Sequence, residues 1–384
     1  MSVRRPVYLD CAATSPPDPR VVEVMHRYLA VEFGNQGSRT HEYGTRARQA
    51  VERARDQVAA VVAARRSEVI FTSGATEANN LAILGLAEST GRGHIVSTQI
   101  EHPAALEPIV ELERRGFEVT RVAPTTGGWV DPAEVLREVR SDTFLVSVMQ
   151  VNNETGVQQP IAEIAEGLAR SAAKLHVDAA QGFGKILAPL RHPRIDLISA
   201  SAHKIGGPQG VGALIARRRE SAWVLRPLMF GGGQERGLRP GTLPAHLIAG
   251  FGMAAELAVS EAPERWRTAE EFRTRVLAGM AGTDFAVNGD LDRMSPYILN
   301  VSFRGFDSDQ VMEAWADLAA VSNGSACASH QITCSHVLAA MGIDERRAAG
   351  AVRISWCPAT PLPDFAAMTR ALESIPAGIH GRIA

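Results

Sequence analysis

The chain has 384 residues, 45% of them hydrophobic and 21% charged, with a formal net charge of −2. That balance excludes a disordered chain, and near-neutrality gives no bulk attraction to nucleic acid or to an anionic membrane. Four cysteines without a CxxC pair argue against a disulfide framework or a zinc site. No metal is expected, and a cytoplasmic protein with free thiols is. The first residues, MSVRRPVYLDCAATSPP, lack the apolar core of a secretory signal. No apolar run reaches the roughly eighteen residues of a membrane span.

In chain order, the apolar spacing predicts helices over Val21 to Phe33 and Arg46 to Ala63, the second with Arg48, Glu52 and Arg55 along one face. Strand-length runs follow at 68–74, 94–99, 143–151, 174–181, 196–202 and 211–217, with helix-length stretches at 77–86 and 160–173 between them. Several runs are apolar through their centres, the pattern of a mainly parallel sheet covered by helices on both faces. The basic run Ala216-Arg217-Arg218-Arg219 reads as a solvated face. Composition shifts near Glu261 to Thr268, after which DFAVNG, YILNVSF and AVRISW give further strand signals. We expect a large domain over 15–260 and a smaller α+β domain built from 1–14 and 261–384.

Five of the expected strands end in reactive or ligand-like residues: TSGATE (72–77), IEHP (100–103), NNETG (152–156), DAAQ (178–181) and SAHK (201–204). In an open α/β sheet ligands bind beyond the carboxyl ends of the strands, so five such endings imply one shared site. Gly74, Ala75, Thr76 and Glu77 open a helix whose N–H groups, with the Thr76 hydroxyl, suit a phosphate. Asp178 ends an apolar strand and needs a cationic partner if buried. Lys204 stands beside His203 and just before Gly206 and Gly207. Taken singly, Thr76 is an ordinary helix cap, Lys204 a surface lysine and His102 a helix-start histidine. Taken together, lysine nucleophile, carboxylate and phosphate cup describe a site for pyridoxal 5'-phosphate (PLP), with His102 lying on the ring.

The stretches YLDCAATSPPDPRV (8–21), FTSGATEANNLAILG (71–85), EHPA (101–104), VNNETGVQQPI (151–161), VDAAQGFGK (177–185), SASAHKIGGPQGVGAL (199–214), GGGQERGLRPGT (231–242) and SNGSACAS (322–329) resemble the cysteine desulfurases. These are fold-type I PLP enzymes, here of the branch with a long cysteine loop. The resemblance implies a homodimer that converts L-cysteine to L-alanine and leaves sulfur as a persulfide on Cys327. It implies Lys204 as the Schiff-base lysine that also takes the substrate Cα proton. His102 is then the ring-stacking acid/base group, Asp178 the partner of the pyridine nitrogen, and Gln181 and Asn153 neighbours of the ring hydroxyl. Thr76, Ser201 and His203 would hold the phosphate, joined by Thr242 of the second subunit. Arg353 would receive the substrate carboxylate, with Asn35 a weaker candidate.

In SNGSACASHQITC (322–334) Cys327 is the expected nucleophile. Cys334 is left as spectator, resolving thiol or relay, while Cys11 and Cys357 are expected to pack. The chain stops soon after its last helix, without the tail by which housekeeping members grip an iron–sulfur scaffold. Overall resemblance points to the desulfurase of a bacterial DNA phosphorothioation system, handing sulfur to an acceptor protein and not binding DNA directly. Iron–sulfur assembly and tRNA thiolation are the other destinations. A selenocysteine lyase, another fold-type I PLP enzyme and a non-catalytic sulfur carrier are the alternative readings.

Overall fold

The computed structural model describes residues 5–217, 225–323 and 335–375. Its main sheet contains β2 (Val69–Thr72), β3 (His94–Thr98), β4 (Glu118–Val122), β5 (Thr143–Met149), β6 (Lys174–Asp178), β7 (Leu197–Ser201) and β8 (Gly212–Ala216), while β1 (Val7–Tyr8) lies elsewhere. The order is β2-β8-β7-β6-β5-β3-β4. Strands β3 to β7 are mutually parallel. β8 runs against both β7 and β2, so β2 points the same way as the parallel set. The carboxyl ends of β2 through β7 therefore share one side of the sheet. The architecture is the expected α/β, mainly parallel fold.

Ile95, Val146, Leu175, Val177, Ile198 and Leu214 are each fully buried, because helices cover both faces of these inner strands. The helices Glu42–Val61 and Ala245–Ser260 pack on one face. Ala47, Val51, Ala54 and Val58 form the first helix's apolar stripe at helical spacing. The second helix approaches so closely that a Cβ on Gly252 would lie 2.6 Å from Ala54 Cα.

A smaller antiparallel sheet orders β12 (Ala351–Ser355), β10 (Ile298–Phe303) and β9 (Phe285–Val287). β1 pairs in parallel with β11 (Ala319–Ala320). Leu9 and Ala12 share the hydrophobic cluster of Leu299, Val301, Trp315 and Trp356. Trp356 stacks on Phe272 with centroids 4.9 Å apart.

Several local expectations change. The first helix spans Pro19–His26, capped by Asp18, whose Oδ1 accepts the Arg20 N–H at 2.9 Å. It then widens into a π turn over Arg27–Val31. The stretch 160–173 holds only the short helix Ile161–Gly167. β4 had no apolar run to announce it, because a sheet edge keeps one side exposed.

Arg55 does not belong to a charged outer face. It is buried, pairs with buried Glu235 at 2.7 Å and lies 4.7 Å over the Phe71 ring. Glu235 also accepts the Phe71 N–H at 2.8 Å. Nor is Arg217 simply solvated: its guanidinium donates to the carbonyls of His192, Val62 and Leu190. Arg218 and Arg219 lie outside the described residues. In both corrected cases an arginine fork finds carboxylate or carbonyl oxygens that composition cannot reveal.

Candidate active site

The strand ends open onto a cavity of about 530 Å³, within the range of cofactor sites. Thr76 and Ala75 line it from the start of the helix Ala75–Thr90, and His102 from the start of the helix Pro103–Arg114. Asn153 follows β5, Asp178 and Gln181 come from β6 and the turn after it, and Ser201, His203 and Lys204 from the end of β7. Arg353 reaches in from β12 of the smaller sheet.

Topology explains the helix start. Its first backbone bond runs from Ala78 N–H to Gly74 O at 3.1 Å, so the N–H groups of Ala75, Thr76 and Glu77 have no partner within the helix. Glu77 turns back to accept the Ser73 N–H at 2.7 Å and is held by Arg239. Gly212 on β8 lies directly against this turn. A Cβ there would stand 2.6 Å from Gly74 Cα, so only glycine lets the two backbones meet.

Asp178 is buried, and both oxygens are occupied by donors. Oδ2 accepts from Asn79 Nδ2 at 2.7 Å and Oδ1 from the Ala180 N–H at 2.9 Å. His102 Nδ1 accepts the Ala104 N–H at 3.0 Å, which leaves Nε2 to carry the proton of the neutral ring. Burial holds its pKa below the ordinary histidine value, against an opposing pull from Asp178. Burial also lowers His203, to about 4, and its Nδ1 meets Thr14 Oγ1 at 3.1 Å. Behind His102, Glu101 is fully buried and pushed up to about 8 by burial, although Thr98 Oγ1 donates to it at 2.7 Å.

Lys204 Nζ donates to two backbone carbonyls, of Ala12 and, at 2.7 Å, of Ala13. Gln181 Nε2 donates to the same Ala12 carbonyl at 2.8 Å. Arg353 is buried; Nη2 pairs with Asp10 at 2.7 Å and Nη1 donates to Asn153 O at 3.0 Å. Arg353 Nε, Gln181 Oε1 and Asn79 Oδ1 are buried with no hydrogen-bond partner. Such orphaned atoms are rare in native proteins unless a ligand or ion completes them. Amine, buried carboxylate, free helix N–H groups and unfilled polar atoms together fit PLP.

Of the expected site residues, Lys204, His102, Asp178, Gln181, Asn153, Ala75, Thr76, Ser201, His203 and Arg353 line one cavity. Thr242 is exposed and does not line it. Asn35 is exposed too, its Oδ1 taken by the Gly37 N–H at 2.8 Å. Cys327 and Cys334 lie outside the described residues. The residues flanking them do not. Ser322 exchanges backbone hydrogen bonds with Arg353 at 2.6 and 3.2 Å, Ser335 Oγ donates to Glu154 Oε2, and His336 Nε2 meets Glu101 O at 3.0 Å. Cys11 is buried as expected, whereas Cys357 is not core but partly exposed.

Sequence reasoning missed Asn79, Asp10 and the Ala12 and Ala13 carbonyls. Asn79 stands three residues after Thr76, one helical turn on, a spacing that would have flagged it. Asp10 sits in the quoted YLDCAA, but its partner is 343 residues away.

Residues 7–366 match the aminotransferase class-V family. The chain is 45% identical to the cysteine desulfurase IscS of Vibrio cholerae over 359 residues, covering 92% of this chain and 88% of that one. A solved NifS-like protein superposes with a TM-score of 0.87 at 35% identity, covering 96% of this chain and 98% of that one. The solved DndA of Streptomyces lividans gives 0.80 at 48% identity, covering 91% of this chain and 99% of that one. The chain belongs to the class-V aminotransferase family, among its cysteine desulfurases. It is accordingly a PLP-dependent enzyme. Among the described residues no helix is long and apolar enough to cross a membrane.

Proposed function

We propose that the protein converts L-cysteine to L-alanine, leaves the sulfur as a persulfide on Cys327 and passes it to an acceptor protein. The observation that carries this is the convergence of Lys204, His102, Asp178 and Arg353 on one cavity. Bound there, PLP supplies an electron sink for charge developing at the substrate's Cα.

The chain's own residues do the rest. Lys204 carries the cofactor and, once displaced by substrate, takes the Cα proton on Nζ. Asp178, fixed by Asn79 and Ala180, would pair with the pyridine nitrogen. The first turn at Ala75 and Thr76, with Ser201 and His203, holds the phosphate, and Asn153 and Gln181 flank the ring. Arg353 commits two of its N–H groups to Asp10 and Asn153, which leaves the others, including orphaned Nε, for the substrate carboxylate. His102 stays neutral through burial and can take the thiol proton of Cys327. The Cys327 thiolate then attacks the substrate sulfur and the carbon–sulfur bond breaks. Anchorage of Ser322 on Arg353, which lines the cavity, and of Ser335 on Glu154, the residue after cavity-lining Asn153, supports this role.

The enzyme works as a cytoplasmic homodimer. Exposed Leu29, Val31, Phe33 and Phe230 support a covered apolar face, and exposed Thr242 is offered to the second copy's phosphate. We also propose a large domain of 15–260 and a small one of 1–14 with 261–384. Pairing of β1 with β11 supports that division. For the acceptor we favour DNA phosphorothioation, on overall sequence resemblance, with which the likeness to DndA is in keeping.

The test is alanine and persulfide formation from L-cysteine by the holoenzyme and by Cys327→Ser. The variant should keep the cofactor's colour and form no persulfide. Full alanine production by it with a thiol reductant would reject the nucleophile. Labelled sulfur followed into candidate acceptors tests the pathway, and transfer to an iron–sulfur scaffold alone would reject phosphorothioation.

A further inference from the structure

A second cavity, of about 420 Å³, also has Lys204 on its wall, together with Lys185, Tyr297, Arg265 and Cys357. It holds chemistry the desulfurase reaction does not use. Cys357 leaves the end of β12 in a turn closed by its own N–H on Thr360 Oγ1 at 3.0 Å. The Thr360 hydroxyl lies 3.5 Å from Cys357 Sγ and 3.9 Å from Cys11 Sγ. Two thiols separated by 346 residues in sequence therefore share one hydroxyl. The Cys11 N–H donates to Ser355 O at 3.2 Å, which fixes its backbone beside the strand that delivers Cys357.

The two thiols are chemically unlike. Hydrogen bonding from Cys11 and from Thr360, with the Lys185 charge nearby, holds Cys357 below the usual thiol range, while the same contact and burial push Cys11 up. Cys357 is partly exposed and Cys11 is buried. Lys185 is itself lowered to about 8 by burial and sits 5.4 Å from the Tyr297 ring centre. A low-pKa, reachable thiol beside a second thiol is the arrangement of a redox-sensitive pair. Cys11 also immediately precedes Ala12 and Ala13, whose carbonyls hold Lys204 Nζ.

We propose that Cys11 and Cys357 form a second thiol site, a dithiol that hydrogen peroxide closes to a disulfide, and that closure shifts the backbone of residues 12 and 13 on the wall of the cofactor cavity. The Cys357 thiolate attacks the distal oxygen of the peroxide. The O–O bond breaks, an S–O bond forms, and hydroxide leaves to become water. The Cys11 sulfur then attacks the Cys357 sulfur, the S–O bond breaks, and the departing hydroxide takes the Cys11 proton as a second water. Two thiols lose two electrons and the peroxide gains them. Forming the bond draws both sulfurs from Thr360 to about 2.05 Å of each other, and the backbone at Cys11 must follow. The effect on the cofactor rests on the proposed function only through the cavity wall at Ala12 and Ala13.

The experiment uses the full-length holoenzyme with Cys327→Ser and Cys334→Ser, which leaves Cys11 and Cys357 as the remaining thiols. After hydrogen peroxide, alkylation and peptide mapping, we expect a Cys11–Cys357 linked peptide that dithiothreitol reverses. The absorbance of the lysine-bound cofactor should change with the same time course. Neither change should occur when Cys11→Ser or Cys357→Ser is added. Two freely alkylated thiols, or sulfinic acid at Cys357 without a link, would overturn the pair. A link that leaves the cofactor absorbance unmoved would overturn the coupling to the cofactor cavity. The linkage is read without turnover, so its failure is distinct from failure of the desulfurase reading.

Discussion

At the residue scale, chemistry follows from what each buried group is given as a partner. Asp178 can lie in the interior because Asn79 and a backbone N–H donate to it. Replacing Asn79 by Ala should cost about 1–3 kcal/mol of stability, because a buried acceptor loses its donor, and should weaken cofactor binding; urea unfolding and a cofactor titration measure both. Lys204→Ala should abolish covalent attachment and lower alanine production by about 10³-fold or more, read by absorbance and product assay. Glu101 makes an opposite-sign contribution to pH stability from that of a salt-bridged acid. Its folded pKa of about 8 stands above the ordinary glutamate value of 4.5. The folded state therefore holds more protons than the unfolded one between those values, and stability falls as pH rises through that window. Glu101→Gln should remove a slope worth about 2–4 kcal/mol between roughly pH 5 and 8, measured by urea unfolding at several pH values.

At the element scale, the site depends on backbones that touch. The turn at Gly74 sits on β8 only because position 212 has no Cβ. Gly212→Ala should shift the helix start at Ala75 and Thr76, at a cost of about 1–3 kcal/mol. It should weaken PLP binding far more than it alters the far-ultraviolet circular dichroism, and unchanged binding would refute the role given to that close approach. The Arg55–Glu235 pair performs a related task between elements, tying the helix Glu42–Val61 to β2 and to the segment that leads to Thr242. Glu235 and Arg236 both adopt positive φ, an unfavourable conformation for residues with side chains, which the buried pair helps to hold. Glu235→Ala should cost about 1–3 kcal/mol, because the Arg55 guanidinium and the Phe71 N–H lose a buried carboxylate and Arg55 keeps the more exposed Glu52, at 3.2 Å, as an ion-pair partner, as chemical denaturation would show.

At the scale of the whole molecule, the cavity lies between the two sheets. Lys204, Asp178 and His102 come from the large sheet's edge, and Arg353 from β12 of the other. The cavity wall is thereby supplied by two separate cores. The apolar side chains exposed at Leu29, Val31, Phe33 and Phe230 should be covered if the proposed homodimer forms. Phe230→Asp should shift the protein toward monomer in sedimentation and lower activity by removing Thr242 from the second copy's site.

The sequence by itself determined the class of fold and most of the cofactor pocket. Strand runs with apolar centres can lie only in a sheet covered on both faces, and reactive residues at the ends of parallel strands must gather on one side. Lys204, Asp178, His102 and the turn at Thr76 were legible for that reason, since each stands at a fixed offset from its own strand or helix. What only the tertiary structure decided are pairings between residues far apart in the chain: Arg353 with Asp10, Arg55 with Glu235, Lys204 with the carbonyls of Ala12 and Ala13, and Cys11 beside Cys357. Local spacing carries no information about such partners. Apart from Arg55 with Glu235, which helix packing against the main sheet brings together, they meet because β1 and the segment after it cross to the smaller sheet, and packing, not periodicity, sets where that crossing falls.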